Sequence, residues 1–187
     1  MAVPQQSLRA VVFLGLSVDG RIARPDGDLE WLTSRGAAAG DAGFTPFIES
    51  VDAVVMGRKT YDAIAFEEEW PYLDRPMHVI STTLAADRDP RITVHRSPEA
   101  AVATLQRDGR GRVYVDGGET IRWFLASGFV DELTLSFVPV LIGDGPSLFG
   151  PLSADVDLEH VRTAVLEGGM VQSTYRVVGG PTRSAAS

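Results

Sequence analysis

Twice in this chain an apolar strand pattern ends on glycine and passes straight into a helix-start pattern, and these two places restrict the fold more than any other feature. The first is Asp52-Ala53-Val54-Val55-Met56-Gly57-Arg58-Lys59-Thr60-Tyr61. The second is Val113-Tyr114-Val115-Asp116-Gly117-Gly118-Glu119-Thr120-Ile121. Units in which a strand feeds a helix build layered α/β structures rather than all-α or all-β ones. Strand C-terminal ends then converge on one sheet edge, where the unpaired N–H groups of helix N-termini attract phosphate. Gly57 lets a ligand approach the backbone, Arg58 and Lys59 add full charges, and Thr60 adds a hydroxyl donor. The same residues also suit a plain β–α turn with solvated basic side chains, and Gly117-Gly118 also suits a turn that needs glycine for steric reasons. Two such turns in one small domain point to a shared phosphate-bearing ligand.

The remaining chain repeats the alternation. Apolar runs predict strands at 9–16, 51–56, 77–81, 91–95, 112–115 and 132–141. Helices are expected at 59–66, at 98–106 with Ser97 as cap and Pro98 at the first position, and at 119–126 with Gly128 just past the end. Pro25-Asp26-Gly27 is a turn, Asp28 a cap for a helical turn over 28–32, and the Gly- and Ala-rich stretch 34–43 a flexible segment. Thr45-Pro46 reads as N-cap and first position of a short helix ending at Ser50. Pro139 inside 132–141 argues for an edge strand or a bulge. Residues 164–167 and 170–178 form a closing pair joined by Gly168-Gly169. The reading is one domain over 8–178 with loose termini at 1–7 and 179–187, an α/β sandwich with a mixed central sheet flanked by helices.

Composition removes several functions. With 187 residues and a net charge of −8, the chain makes a poor general binder of nucleic acid or anionic membrane. It has no Cys, which excludes disulfides, thiolate metal sites and Cys nucleophiles, and its His78, His95 and His160 have no metal-ligand spacing. Lys59 is the single Lys beside sixteen Arg. The patterns G-x-G-x-x-G, G-x-x-x-x-G-K-[ST] and G-x-S-x-G are all absent. No stretch approaches the roughly 20 apolar residues of a membrane span. Residues 10–16 are too short for a signal peptide and read as a strand, so a cytoplasmic location is expected.

Four segments in order resemble the dihydrofolate reductase superfamily, and most of all the reductase domain of bifunctional riboflavin-biosynthesis deaminase-reductases. They are Leu16-Ser17-Val18-Asp19-Gly20-Arg21-Ile22-Ala23, then Val55-Met56-Gly57-Arg58-Lys59-Thr60-Tyr61, then His78-Val79-Ile80-Ser81-Thr82. The fourth runs from Val115-Asp116-Gly117-Gly118 through Val130-Asp131-Glu132-Leu133 to Pro139-Val140-Leu141-Ile142-Gly143-Asp144-Gly145. The resemblance covers roughly residues 8–178. It implies a dihydrofolate reductase-like three-layer sandwich, NADPH as cofactor, and hydride transfer to a pterin-like or ribosylaminopyrimidine-like heterocycle or imine.

Carried over residue by residue, the resemblance places Leu14, Gly15 and Ile22 at the nicotinamide and Gly57, Arg58, Lys59 and Thr60 at phosphates. Ser81, Thr82 and Arg96 fall at the adenosine end, and Val115, Gly117, Gly118, Glu119, Thr120 and Ile121 around the diphosphate. Asp116 and Glu119 depart from the glycine and basic residues of typical dihydrofolate reductases, so both carboxylates are expected to turn away from the diphosphate. Reduction of a C=N bond also needs an acid. Asp28 and Asp41 compete for that role, with Glu49 third, and each also reads as a solvated residue at a helix end. Trp31, Phe44 and Phe47 are candidates for an aromatic wall over the substrate, or for core, and Ser136 for a polar contact beneath it. A zinc deaminase domain needs His, Glu and paired Cys, and a chain with no Cys and no room for that domain is expected not to deaminate. A homodimer through the C-terminal strands is implied by the same resemblance. A nucleotide-binding or sensor protein of the same fold without turnover is the alternative.

Overall fold

A computed structural model describes residues 8–181. Its elements are β1 (Arg9–Ser17), α1 (Glu30–Gly36), α2 (Phe44–Glu49), β2 (Ala53–Gly57), α3 (Arg58–Ile64), β3 (Met77–Ile80), β4 (Ile92–His95), α4 (Pro98–Arg107), β5 (Arg112–Asp116), α5 (Gly118–Ala126), β6 (Val130–Val138), β7 (Asp157–Val165) and β8 (Val171–Gly179). The strands form one sheet of order β4-β3-β2-β5-β1-β6-β8-β7. Every pairing from β4 to β6 is parallel, and β8 then pairs antiparallel with both β6 and β7.

Strand alternation sends successive side chains to opposite faces and builds two cores. On one face Val12, Leu16, Val55 and Val115 pack with Val102 and Leu105 of α4 and with Ile121 and Phe124 of α5. On the other face Val11, Val54, Met56 and Tyr114 pack with Ile48 of α2 and Tyr61 of α3. Helices thus cover both faces of a mixed sheet, the three-layer α/β sandwich expected from the sequence. A third cluster, Trp31, Val138 and Met170, seats α1. No helix of the described residues is long and apolar enough to cross a membrane.

Five local expectations are corrected. Residues 34–43 are ordered by the end of α1, a single 3-10 turn at Ala37–Ala39, and an Asp41 turn. Thr45 and Pro46 lie inside α2 rather than opening it, because Asp41 Oδ2 already accepts from Thr45 N at 3.1 Å and the helix begins at Phe44. Proline is tolerated there because first-turn N–H groups have no intrahelical acceptor. Pro139 follows β6 instead of interrupting it, and β6 lies between β1 and β8 rather than at an edge. β7 is nine residues long and begins well before 164, and β8 extends through Gly179. Every residue of β7 is exposed, so no in–out alternation marks it in the sequence. The expectation of loose residues at 1–7, and at 182–187 of the stretch 179–187, lies outside the described residues.

Candidate functional site

The two glycine turns stand side by side. β2 and β5 are neighbours, with Met56 paired to Asp116, so Gly57 and Gly117 follow at the same sheet edge. From β2 the chain moves outward to β3, and from β5 it returns across β1 to β6. This reversal between adjacent strands opens a crevice at their carboxyl ends, where open α/β sheets bind ligands. The turns interlock across it. A Cβ on Gly57 would lie 3.1 Å from Thr120 Oγ1, and one on Gly117 would overlap Thr60 Oγ1. Gly117 also has φ +86°, which a side chain would strain. The steric need for glycine at these turns is therefore real, and each glycine makes room for the other turn's threonine.

Neither helix start has a side-chain cap, since its N-cap is glycine. The amide of Gly117 itself turns inward to Asp116 Oδ1 at 2.7 Å, and Tyr72 Oη donates to Asp116 Oδ2 at 2.9 Å. Burial pushes the Asp116 carboxyl up, against the pull of the Tyr72 hydroxyl and the Gly117 amide. Asp116 thus faces the core and Glu119 faces solvent. The N–H groups of the first turn of α5 remain for an anion.

Around this crevice, Arg58 and Lys59 are exposed. Arg58 Nε lies 3.2 Å from Asp62, and its Nη1 donates to Thr83 Oγ1 at 2.8 Å. Thr82 is exposed, whereas Ser81 is buried and its Oγ accepts from the amides of Thr83 and Leu84. Arg96 Nη1 donates to the carbonyls of Ser81 and Leu84 at 2.9 and 2.7 Å, which braces the same turn. The residues present fit a phosphate-bearing nucleotide: an uncapped helix start, the exposed cations Arg58 and Lys59 and a hydroxyl-rich turn lie along one edge.

The loop after β1 closes the near end. Asp19 accepts from Ser17 Oγ at 2.6 Å and from the amides of Ile142 and Gly143 at 3.2 and 2.7 Å. The Ser17 hydroxyl is the main reason its carboxyl falls to about 2. Arg21 Nη1 donates to the Gly145 carbonyl at 2.9 Å. Fastened in this way, the loop sets Ile22 against Gly118, where a Cβ would come 2.6 Å from Ile22 Cδ1. Leu14 and Ile22 are half-buried on the α5 side of the sheet.

A cleft of about 310 Å³ opens beside this loop, between the sheet and α1. Phe13 and Gly15 of β1, Ser136 of β6 and Met170 line its floor, and Leu32, Thr33, Gly36, Ala37, Gly40 and Ala42 its roof. Gly15 lets α1 descend, because a Cβ there would meet Leu32 Cδ1 at 2.5 Å. Of the expected substrate residues, Ser136 lies in the cleft, while Trp31 and Phe47 do not line it. Trp31 is 1% exposed behind Leu32, in the core cluster with Val138 and Met170. Phe47 and Phe44 stand behind Phe13, at 4.9 and 5.6 Å between ring centroids. The ring presented to the cleft is Phe13, whose place in an apolar strand gave no functional signal.

The three acidic candidates also lie outside the lining. Asp28 is bound to Arg24 at 3.3 Å and accepts from the amide of Glu30. Asp41 caps the approach to α2, and the amide of Gly43, followed by Thr45, holds its carboxyl below the ordinary value. Glu49 is exposed at the end of α2. Among the described residues no group of three or more His, Asp and Glu is arranged to hold a metal.

The family profile described as the RibD C-terminal domain matches residues 10–172. A protein from Shewanella sp. PV-4 provisionally linked to riboflavin biosynthesis is 32% identical, with a TM-score of 0.82 over 92% of this chain and 100% of that one. The Thermotoga maritima diaminohydroxyphosphoribosylaminopyrimidine deaminase/5-amino-6-(5-phosphoribosylamino)uracil reductase is 14% identical, with a TM-score of 0.69 over 92% of this chain and 57% of that one. Dihydrofolate reductase from Enterococcus faecalis, in complex with NADP(H), shares the fold at 19% identity and a TM-score of 0.65, over 92% and 97% of the two chains. The profile match, together with the sheet order and the interlocked glycine turns it spans, makes this chain a member of the RibD C-terminal domain family.

Proposed function

We propose that the protein is an NADPH-dependent reductase of a small heterocycle or imine. The observation that carries this reading is the adjacency of two sites. The crevice between Gly57 and Gly117 suits a dinucleotide, and β1, which runs on into the loop that carries Ile22, also supplies Phe13 and Gly15 to the cleft that holds Ser136. The first turn of α5, Arg58, Lys59 and Thr82 would hold phosphates, Arg96 and Ser81 would shape the adenosine end, and Leu14, Gly15 and Ile22 would border the nicotinamide. When bound, the cofactor supplies a hydride. The structural NADP(H) complex of the Enterococcus enzyme on the same fold supports that choice. The chain itself excludes water with Phe13, Leu32 and Met170 and keeps both substrate faces within one cleft. None of the lining residues is ionisable, so we assign the proton to solvent at the cleft mouth rather than to Asp28 or Asp41.

That uncharged lining also favours a second reading, nucleotide binding without turnover. A titration with NADPH and NADH, followed by Trp fluorescence and by loss of 340 nm absorbance in the presence of dihydropterins and ribosylaminopyrimidines, separates the two. Micromolar NADPH binding with turnover supports the reductase, binding alone supports the second reading, and no binding by folded protein refutes both. We further propose a homodimer through β7. Its edge carries unpaired backbone groups and exposes Leu158, Val161 and Val165. Light scattering reads the mass directly, and a monomer at micromolar concentration would overturn this part.

A further inference from the structure

Ser136 sits in one row across three strands: Gly15 on β1 pairs with Ser136 on β6, and Ser136 pairs with Gln172 on β8, which lies beside the cleft lining. Ser136 is 3% exposed and Gln172 7%. Gln172 Nε2 donates to the Ala42 carbonyl at 2.9 Å and to Ser136 Oγ at 3.0 Å. A backbone carbonyl only accepts, so Ala42 decides which end of the amide faces it. With both Nε2 hydrogens committed, Ser136 Oγ accepts from Gln172, and its own proton is directed elsewhere. Among the described residues the hydroxyl has no second side-chain partner, and it lines the cleft. The other hydroxyl, Thr33 Oγ1, is turned back on its helix toward the carbonyls of Glu30 and Leu29 at 3.3 and 3.4 Å. One oriented donor therefore stands in an otherwise apolar, uncharged wall.

We propose that the cleft takes an uncharged, flat heterocycle whose ring carbonyl or imine nitrogen accepts from Ser136, with Gln172 as the residue that orients the hydroxyl. This deepens the reductase reading and rests on it. A phosphate group would be desolvated there with no cation to meet it, so phosphorylated substrates are discriminated against. Flatness follows from the walls: the sheet face with the Phe13 ring lies below, and Leu32 with the backbone at Gly36 and Gly40 above.

The test is equilibrium binding, with and without NADPH. Trp31 reports it, because it packs in one cluster with Leu32 and Met170. The probes are lumazine at pH 6.5, 5-amino-6-(5-phosphoribosylamino)uracil, and the same compound without its phosphate. Lumazine is expected to bind. Gln172→Leu and Ser136→Ala should each weaken it about three- to tenfold, the double variant no more than Ser136→Ala alone, and Ser136→Thr should restore it. NADPH affinity should stay unchanged in all four, which a general loosening of the fold would not permit. Should Gln172→Leu fail to fold, Ser136→Ala and Ser136→Thr carry the comparison. The proposal is overturned by unchanged lumazine affinity in folded Ser136→Ala, by tenfold or greater tightening on adding phosphate, or by binding of none of the three. Binding as expected without any turnover would overturn the reductase reading alone.

Discussion

The buried imidazole pair on β3 and β4 makes the stability of this fold depend on pH in a calculable way. His78 Nδ1 and His95 Nε2 are 2.9 Å apart, with the rings stacked at 5.1 Å, beneath the end of α4. One nitrogen must supply the proton and the other the lone pair, so a doubly charged pair has no hydrogen bond and repels itself. The charged groups that bear on it are Asp108, which favours protonation, and Arg107 and Arg110, which oppose it. Burial, then the neighbouring His95, lowers His78 from 6.5 to about 4, and burial, then Arg107, lowers His95. Between those values the unfolded chain binds more protons than the native one, so stability falls as pH drops from 6.5 toward 4 and is complete above 6.5. At pH 5 the loss from His78 is about 2 kcal/mol at most, trimmed by solvent at the edge strand. Asp116 acts oppositely: its raised value makes it a stabilising group at low pH that is lost as pH rises. Asp19 and Asp89, both at about 2, lose their contribution only below the ordinary carboxylate range. Subtraction removes these other terms. Urea unfolding at pH 7.5 and 5.0 should show wild type losing about 1–2 kcal/mol more than His78→Gln, which keeps a partner for His95 and cannot charge. Equal losses in the two proteins would refute the reasoning.

Gly117→Ala should lower stability by about 2 kcal/mol, because the new Cβ meets Thr60 at a left-handed backbone, and should also weaken NADPH; calorimetry and titration read both effects. Arg58→Ala should weaken NADPH about tenfold and NADH less, and equal weakening would refute a contact with the extra phosphate. Asp41→Ala should lower the melting temperature through the start of α2 yet leave the pH profile of NADPH oxidation in place, and disappearance of a fall in rate at high pH would restore Asp41 as the proton donor.

What the sequence disclosed were the features whose physics is local. Apolar runs ending in Gly57 and Gly117 demanded strand, turn and helix start in that order, and the structure has them there. Ser97 and Pro98 opened α4 as expected because a cap and its first helical residue are neighbours in the chain. Only the last residues of β7 were legible, because the strand buries neither face and its residues carry no period. Thr45-Pro46 misled for a related reason. The pair has the right composition for a helix start, but Asp41, several residues earlier, had already taken the capping bonds.

The cleft was harder to see because its chemistry is assembled across strands. Ser136 drew attention only through the resemblance, and its role as donor or acceptor is decided by Gln172 on the neighbouring strand and, through it, by a carbonyl at Ala42. A search for carboxylates finds Asp28 and Asp41 near the expected places and cannot tell that each is spent on a helix end. The physical distinction is occupancy of hydrogen-bonding capacity. A carboxylate whose oxygens already accept two backbone amides, as in Asp41, is held ionised and is a poor acid, whereas a hydroxyl that accepts once inside an apolar wall still has a proton to give. By that criterion the group we propose to recognise a substrate in this cleft is the neutral Ser136, and the selectivity proposed for it is for ligands that bring an acceptor atom and no charge.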